Sequence, residues 1–112
     1  MTPPEFVAEM KRIARSVSAS TRDYLGYPPV ADPPGHLGEF SRWYRGLADD
    51  QRETAGLLMD YVAEGSLFAL LSTLDHGTPE SRLELFAADG EARTRLNDPE
   101  GDLLCELFNR VP

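Results

Sequence analysis

Cysteine is almost absent from this chain of 112 residues, which contains Cys105 as its single example. One thiol cannot form a disulfide within the chain, and this favours a reducing compartment. The chain also lacks the charged start and apolar run of a signal peptide. No stretch approaches the ~20 apolar residues that a membrane-spanning helix needs. We therefore expect a cytoplasmic protein without a membrane partner.

Basic side chains are scarce as well, and the net charge is −8. Residues 57–112 carry 4 basic and 11 acidic side chains, whereas residues 1–56 carry 7 and 8. An acidic surface repels phosphate backbones and anionic lipid, so nucleic acid is not expected as a partner. Such a surface suits a basic protein partner, although it also suits plain solubility. Arginine outnumbers lysine ten to one, which indicates a GC-rich bacterial genome.

Residues that carry catalysis or bind metals are few. The two histidines, His36 and His76, stand outside any cluster with metal-ligand spacing. The segment from Asp98 onwards begins like a calcium loop, but leucine and asparagine occupy its sixth and twelfth positions, where glycine and glutamate are required. Glycine-rich phosphate loops, nucleophile elbows and dinucleotide fingerprints are missing. We expect no catalytic residues, no metal and no cofactor.

The apolar segment of residues 50–75 is the strongest structural signal, in a chain whose length fits a single domain over residues 1–112. On a helical wheel its apolar residues form one stripe: Thr54, Leu57, Leu58, Tyr61, Val62, Gly65, Phe68 and Ala69. Beyond Gly65 the helix is apolar in every direction, which is typical of a buried helix. The pattern predicts a central buried helix over about 54–74. It leaves open whether residues 50–75 form one kinked helix or two.

The N-terminal third predicts a helix followed by an irregular connector. Thr2-Pro3-Pro4-Glu5 is a helix start of the capping-box type, and apolar residues then recur at helical spacing as far as Val17. Closely spaced prolines and glycines in Ser18–Gly35 argue against a helix interior. Whether the loop at 24–35 is ordered stays open.

A short helix is predicted over His36–Leu47, with an apolar side of five residues: Leu37, Phe40, Trp43, Tyr44 and Leu47. Aromatic residues beside arginine are anchors that protein interfaces favour, so Trp43 and Tyr44 are candidate partner-binding residues. At helical spacing with leucine and phenylalanine, such residues more often belong to a core, and a core position is the favoured interpretation.

Residues 82–96 predict an antiparallel β-hairpin that turns at Asp89-Gly90. Pairing outward from this turn places leucines on one face. On the other face Glu84 meets Arg95 in an ion pair, and Phe86 meets Arg93 in a cation–π contact. The leucine face should pack on the helices, while the outer edges stay unpaired or recruit another chain. Glu84, Phe86 and Arg93 are therefore candidate partner-binding residues.

Asn97-Asp98-Pro99-Glu100 predicts the start of a C-terminal helix, with Asp98 as its cap. Its buried side should comprise the apolar residues Leu103, Leu104, Leu107, Phe108 and Val111. The predicted fold class is α+β, a helical domain around the central helix with one hairpin and a C-terminal helix.

The segment Arg82–Asn109 (RLELFAADGEARTRLNDPEGDLLCELFN) resembles the end of small uncharacterised bacterial α+β proteins, in which a charged strand pair runs into LNDP and a leucine-rich helix. The resemblance implies the hairpin-plus-helix fold of that segment. In size and acidity the chain is also similar, at the level of class, to immunity proteins that neutralise bacterial toxins. That similarity implies a protein partner.

Three functions follow as hypotheses. The first is a non-enzymatic, acidic protein-binding protein of the immunity or inhibitor type, whose partner is a basic protein. The second is a small enzyme or ligand-binding domain with a pocket under the Tyr24–Gly35 loop. The third is a structural homodimer that pairs through the hairpin edge or through Trp43 and Tyr44.

Overall fold

The structure is a computed structural model that describes residues 1–112. Four helices and two strands follow one another as α1 (Pro3–Gly26), α2 (Gly35–Arg45), α3 (Asp49–His76), β1 (Phe86–Asp89), β2 (Ala92–Arg95) and α4 (Leu104–Arg110). The two strands form one antiparallel sheet. The α+β class, the hairpin and the C-terminal helix are confirmed.

The chain divides into two compact units. Unit 1 comprises Met1–Ile13 and Glu64–Pro112, and unit 2 comprises Ala14–Ala63. The boundary crosses α1 and α3, so each unit contains part of both helices. A single domain over residues 1–112 therefore stays a prediction.

The start of α1 is the predicted capping box. The amide of Glu5 donates to the hydroxyl of Thr2 at 3.3 Å, and the amide of Thr2 donates to the carboxylate of Glu5 at 2.8 Å. Two amides at the helix start are thus satisfied by neighbouring side chains. The local sequence is sufficient to specify this helix end.

The prediction of an irregular segment from Ser18 is wrong, because α1 continues to Gly26. Ser18 and Leu25 are both buried within unit 2, and these contacts hold the last turns in a helix. The irregular chain begins at Tyr27, directly before Pro28, where a helix is disfavoured.

The helix α3 is continuous over 28 residues, which answers the question of one helix or two. Its burial differs from the prediction. Beyond Gly65 only Leu67 and Leu71 are buried, while Phe68 and Leu70 are 38% and 56% exposed, so the prediction of a helix end buried on every side is wrong. All eight residues of the predicted buried stripe are exposed, including the half from Leu57 to Val62. The wheel identified one apolar side correctly, but in this half of α3 a different side packs, because Ala55 and Gly56 are the buried residues.

Apolar residues from α1, α3, the hairpin end and α4 form the core of unit 1: Val7, Leu71, Leu96, Leu104 and Leu107 are at most 5% exposed. Burying a side chain of this kind contributes about 1.5–3 kcal/mol relative to leaving it exposed. The rings of Phe68 and Phe108 meet edge to face, with centroids 5.5 Å apart. The C-terminal helix therefore packs against α3 as expected.

The C-terminal helix begins later than predicted. Asp98 forms a local turn, since its carboxylate accepts a bond from the amide of Glu100 at 3.0 Å. The helix α4 starts at Leu104, and the amides of Leu104 and Cys105 donate to the carboxylate of Asp75 at 2.8 and 2.9 Å. The cap of α4 is thus a residue from the end of α3, not Asp98.

The hairpin is confirmed, but its register is displaced by two residues. Phe86 pairs with Arg95, and the loop consists of Gly90 and Glu91. Gly90 has φ 68°, and a glycine with positive φ at the first loop position is what a type II′ turn requires. The predicted loop would have placed Asp89 there. Because the displacement is even, each face keeps its predicted residues.

The side chain of Asn97 joins α3 to the hairpin strands and is 4% exposed. Its amide nitrogen donates to the carbonyl oxygens of Leu74 and Leu83, both at 2.7 Å. Its amide oxygen accepts a bond from the amide of Leu85 at 2.8 Å. Three backbone groups are satisfied by one buried side chain.

By length and composition, α3 is one helix that could cross a membrane, with a mean hydropathy of 1.3 over its most apolar window. This finding departs from the expectation that no stretch is apolar enough to span a membrane. A single helix of this kind is a weak indication, and 11% of its window is buried, whereas the core helix of a soluble protein is mostly buried. The fold is compatible with a soluble protein.

Candidate protein-binding surfaces

The helix α2 turns its apolar side to solvent. Leu37, Phe40 and Trp43 recur on this side, and each is at least half exposed. The prediction that this side forms core is therefore wrong for all three. The other interpretation, that Trp43 anchors a protein partner, stays a prediction.

The opposite side of α2 packs through small residues. Gly38 and Ser41 are buried, and the hydroxyl of Ser41 donates to the carbonyl oxygen of Leu25 at 2.8 Å. A Cβ added to Gly38 would lie 1.8 Å from the carbonyl oxygen of Pro33. The backbone of α2 thus lies close to the connector, and no large side chain fits between them.

Within unit 2, α3 repeats this arrangement. Leu57, Leu58, Tyr61 and Val62 are all exposed, whereas Gly56 on the other side is buried against the side chain of Arg22. Both helices therefore present large apolar residues outward and small residues inward.

Polar contacts hold the interior of unit 2. The carboxylate of Asp60 accepts a short hydrogen bond from the buried hydroxyl of Ser18 and lies 3.4 Å from the guanidinium of Arg22. The side chains of Asp60 and Arg22 are 35% and 37% exposed, so these contacts tie the edge of the inner side of α3 to α1. The apolar stripe is consequently left outside.

A groove of about 360 Å³ lies between the end of α2 and the start of α3, lined by Trp43, Leu47, Asp50, Gln51, Thr54, Ala55 and Leu58. It joins the exposed stripes of the two helices. We call the resulting surface the α2–α3 face, defined by Leu37, Phe40, Trp43, Leu57, Leu58, Tyr61 and Val62.

Tyr44 follows Trp43 in sequence but borders a different cavity. It is half-buried and lines a polar pocket of about 470 Å³ together with Arg22, Asp23, Gly26, Tyr27, Arg45 and Arg52. A second apolar groove, of about 290 Å³, lies between α1 and α2 around Val17, Tyr24 and Leu37. The two adjacent aromatic residues therefore do not share one binding surface.

The three hairpin candidates lie in unit 1, whereas Trp43 and Tyr44 lie in unit 2. Glu84 and Arg95 form the predicted ion pair at 3.4 Å. The guanidinium of Arg95, not that of Arg93, lies over the ring of Phe86 at 5.9 Å, because Arg95 is the residue opposite Phe86 in the observed register. Phe86 and Arg93 both remain exposed.

Negative charge is concentrated in unit 1, which carries 12 acidic and 6 basic side chains, a net charge of −6. Unit 2 carries 7 acidic and 5 basic side chains, a net charge of −2. The following carboxylates of unit 1 are exposed on and after the segment that leads into the hairpin: Glu80, Glu84, Asp89, Glu91, Asp98, Glu100, Asp102 and Glu106.

The residues weighed for catalysis are dispersed. His36 is exposed and lies 3.6 Å from Glu39 on its own helix, while His76 is exposed at the end of α3. Burial raises the pKa of the Cys105 thiol, and the neighbouring Asp75 raises it further. A raised pKa disfavours the thiolate, which is the nucleophilic form. No three histidine, cysteine or acidic side chains are grouped so that they could hold a metal ion.

The residues that sequence reasoning missed as a surface are Leu57, Leu58, Tyr61 and Val62. A signal was available in the small residues of the other sides, Gly38 and Ser41 on α2 and Ala55-Gly56 on α3, since small residues permit close packing between backbones.

Comparison of the chain with protein families, curated proteins and solved structures gave no match.

Proposed function

We propose that this chain is a non-enzymatic protein-binding protein, of the immunity or inhibitor type, that acts in the bacterial cytoplasm on a basic protein partner. The observation that carries the proposal is the row of eight exposed carboxylates between Glu80 and Glu106 in unit 1. The class-level similarity of size and acidity to immunity proteins supports the same function.

Four of the eight carboxylates form ion pairs within unit 1: Glu84 with Arg95, Asp89 with the N-terminal ammonium, and Asp102 and Glu106 with Arg110. The remaining excess of negative charge favours association with a basic surface. Carboxylates spread over a hairpin and the segment after it attract a basic protein before contact is made, and they raise the association rate at low ionic strength. Salt weakens this attraction, because the Debye length falls from about 10 Å at 0.1 M to about 3 Å at 1 M. Binding to the partner should therefore be strongly salt-dependent.

The hairpin supplies more than charge. It is a two-stranded sheet, so one edge of each strand has no neighbour within the sheet. Unpaired edges can bind an extended segment of another chain through backbone hydrogen bonds. The ring of Phe86, 44% exposed between Glu84 and Arg95, supplies an apolar contact beside that edge. Glu84, Phe86 and Arg93 are the residues that we propose to contact the partner.

Retention of proteins from a bacterial lysate on the immobilised chain tests this function, with washes at low and high salt. We expect one or a few basic proteins to be retained at low salt and released at high salt. The variant E91R/E100R should lose them. The variant D23R/E53R, which changes the net charge equally but lies in unit 2, should retain them. Equal loss from both variants, or no retained protein at low salt, would refute the proposal.

The polar pocket beside Tyr27 favours one other function, a ligand-binding domain with its pocket under the Tyr24–Gly35 loop. Arg22, Arg45 and Arg52 border this pocket, and guanidinium groups suit carboxylate or phosphate ligands. Thermal unfolding with added inorganic phosphate or citrate tests it. A rise in Tm that is absent from Arg45→Gln would support this function, and an unchanged Tm would exclude it for these anions.

A further inference from the structure

We infer that the α2–α3 face of unit 2 is covered by a second copy of this chain in a homodimer. This inference does not depend on the proposed function, which uses the acidic surface of unit 1. It rests on the seven apolar side chains that α2 and α3 present to solvent, between 50% and 77% exposed. Contiguous apolar patches of this kind are unusual on monomers and mark interaction sites.

The area of the α2–α3 face matches what a stable interface needs. Aromatic side chains bury about 150–250 Å² each, and aliphatic ones on the order of 100 Å². With the observed exposed fractions, the three aromatic and four aliphatic residues together offer roughly 700 Å² of surface. A standard interface buries about 800 Å² per partner. One copy of the face, with its polar rim, is therefore sufficient for one side of a dimer.

The low net charge of unit 2 permits a second copy to approach the α2–α3 face. Unit 2 is nearly balanced, with 7 acidic and 5 basic side chains. Asp50 is the one charged residue that lines the groove, while Arg42 pairs with Asp32 and Arg45 borders the polar pocket. A two-fold interface brings the same patch of both copies together, so it must be self-complementary. An apolar face on a unit of low net charge meets this requirement, whereas the strongly acidic unit 1 would repel its copy.

A lipid bilayer is the other medium that could cover such a face, and the charges of α3 argue against it. Asp60 and Glu64 lie in the middle of the apolar part of the helix, and Asp60 is already bound to Ser18 and Arg22. A carboxylate at the centre of a bilayer is costly even by the most permissive insertion scales. A protein surface can instead cover the outward stripe and leave Asp60 with its partners.

Sedimentation velocity with light scattering tests the inference on the full chain. We expect the wild type to have twice the monomer mass of 12.4 kDa at micromolar concentration. The variant L58K/Y61K should have the monomer mass, with a dissociation constant raised on the order of 100-fold, as the loss of two interface anchors implies. Because both side chains are exposed in the monomer, the variant should keep its helical circular dichroism.

The variant V30K/L70K is the matched control. Val30 and Leu70 are also more than half exposed, but neither belongs to the α2–α3 face. This variant should dimerise like the wild type. A monomeric wild type, or dimerisation of L58K/Y61K at wild-type concentrations, would refute the inference. A monomer that floats with phosphatidylcholine vesicles would also refute it, in favour of a membrane surface.

The two proposals can fail separately. The variant E91R/E100R should lose the basic partner but retain the dimer mass. The variant L58K/Y61K should retain the partner, because the acidic residues of unit 1 are unchanged. Loss of the partner from L58K/Y61K alone would show that the α2–α3 face binds that partner, and would refute the homodimer.

Discussion

The ammonium group of Lys11 donates a 2.7 Å hydrogen bond to the carbonyl oxygen of Phe108, and it lies 4.3 Å from the centre of that residue's ring. It donates a second bond, also of 2.7 Å, to the carbonyl oxygen of Val111. Asp75 binds the amides at the other end of α4. A helix of seven residues is thus held at both ends by charged side chains from other helices, each matching the sign of the helix dipole.

Replacing Lys11 by methionine should lower the free energy of unfolding by about 2–3 kcal/mol, because two carbonyl oxygens lose a charged donor. The apolar stem is preserved, so packing changes little. Urea denaturation measures the loss. Arg12→Met is the control on the next residue of α1, which is exposed and pairs only with Glu9 nearby, and it should leave stability unchanged. An equal decrease in the free energy of unfolding for Lys11→Met and Arg12→Met would contradict the capping role of Lys11.

Replacing Asp75 by asparagine should destabilise unit 1 by about 1–2 kcal/mol, the usual cost of a lost helix cap. The amide keeps one acceptor oxygen for Leu104 but turns a donor toward the amide of Cys105. Urea denaturation again measures the effect. Asp98→Asn is the control, and we expect a change within about 0.5 kcal/mol because Asp98 holds only an exposed turn. A larger loss from Asp98→Asn would show that Asp98 is the cap after all.

The thiol of Cys105 should react slowly with iodoacetamide at neutral pH. Burial raises its pKa, and the hydrogen bond and negative charge of Asp75 raise it further, so the reactive thiolate is scarce at pH 7. The rate should increase as the pH rises toward that raised pKa. Asp75→Asn should move the pH–rate profile to lower pH, since it removes a negative neighbour. An unchanged profile would exclude Asp75 as a cause.

Elements that depend on neighbouring residues could be predicted from the sequence, and those that depend on distant residues could not. The capping box of Thr2 and Glu5 spans one turn, and it forms as expected. The cap of α4 comes from Asp75, 29 residues before Leu104, and no local pattern indicates it. Asp98 has the right neighbours for a cap, but the tertiary contact decides where the helix starts.

For the candidate surfaces, the sequence predicted which residues share a side but not what that side faces. Trp43 and Leu58 were placed on apolar stripes correctly, yet periodicity is the same for a stripe that meets a core and one that meets another chain. Which side of each helix faces inward depends on tertiary contacts. On α3 the carboxylate of Asp60 binds Ser18, and on α2 the backbone at Gly38 lies close to Pro33. In the hairpin, the preference of glycine for positive φ displaced the register from the predicted one.

Replacing Gly65 by alanine should raise the free energy of unfolding by about 0.5–1 kcal/mol, because alanine loses less backbone freedom in a helix interior. An added Cβ at Gly65 has no atom within 4 Å. Gly38→Ala is the contrasting variant and should destabilise unit 2, since its Cβ would lie 1.8 Å from the carbonyl oxygen of Pro33. Thermal unfolding of both variants measures the difference. A lower free energy of unfolding for Gly65→Ala would mean that another chain packs against this residue.

Asn97 offers the sharpest test of the buried network in unit 1. Asn97→Asp keeps the size of the side chain but removes both donors to Leu74 and Leu83, and it places a negative charge beside two carbonyl oxygens. The Nε of Arg95 lies 3.4 Å from the side-chain oxygen of Asn97 and compensates the new charge only in part, so this variant should lose about 2–3 kcal/mol of stability at neutral pH. Asn97→Leu should lower the free energy of unfolding less than Asn97→Asp does, because it leaves backbone groups unsatisfied but buries no charge.

The pH dependence of Asn97→Asp separates charge from packing. Burial among carbonyl oxygens raises the pKa of the introduced carboxyl above its value in the unfolded chain, so the folded state binds the proton more tightly. Its contribution to stability is then complete below the unfolded pKa and is lost as the pH rises through the folded pKa. Urea denaturation at several pH values should show Asn97→Asp approaching the wild type as the pH falls, while Asn97→Leu stays parallel to it. If the two variants respond alike, the damage comes from shape and the hydrogen bonds of Asn97 do not hold α3 to the hairpin.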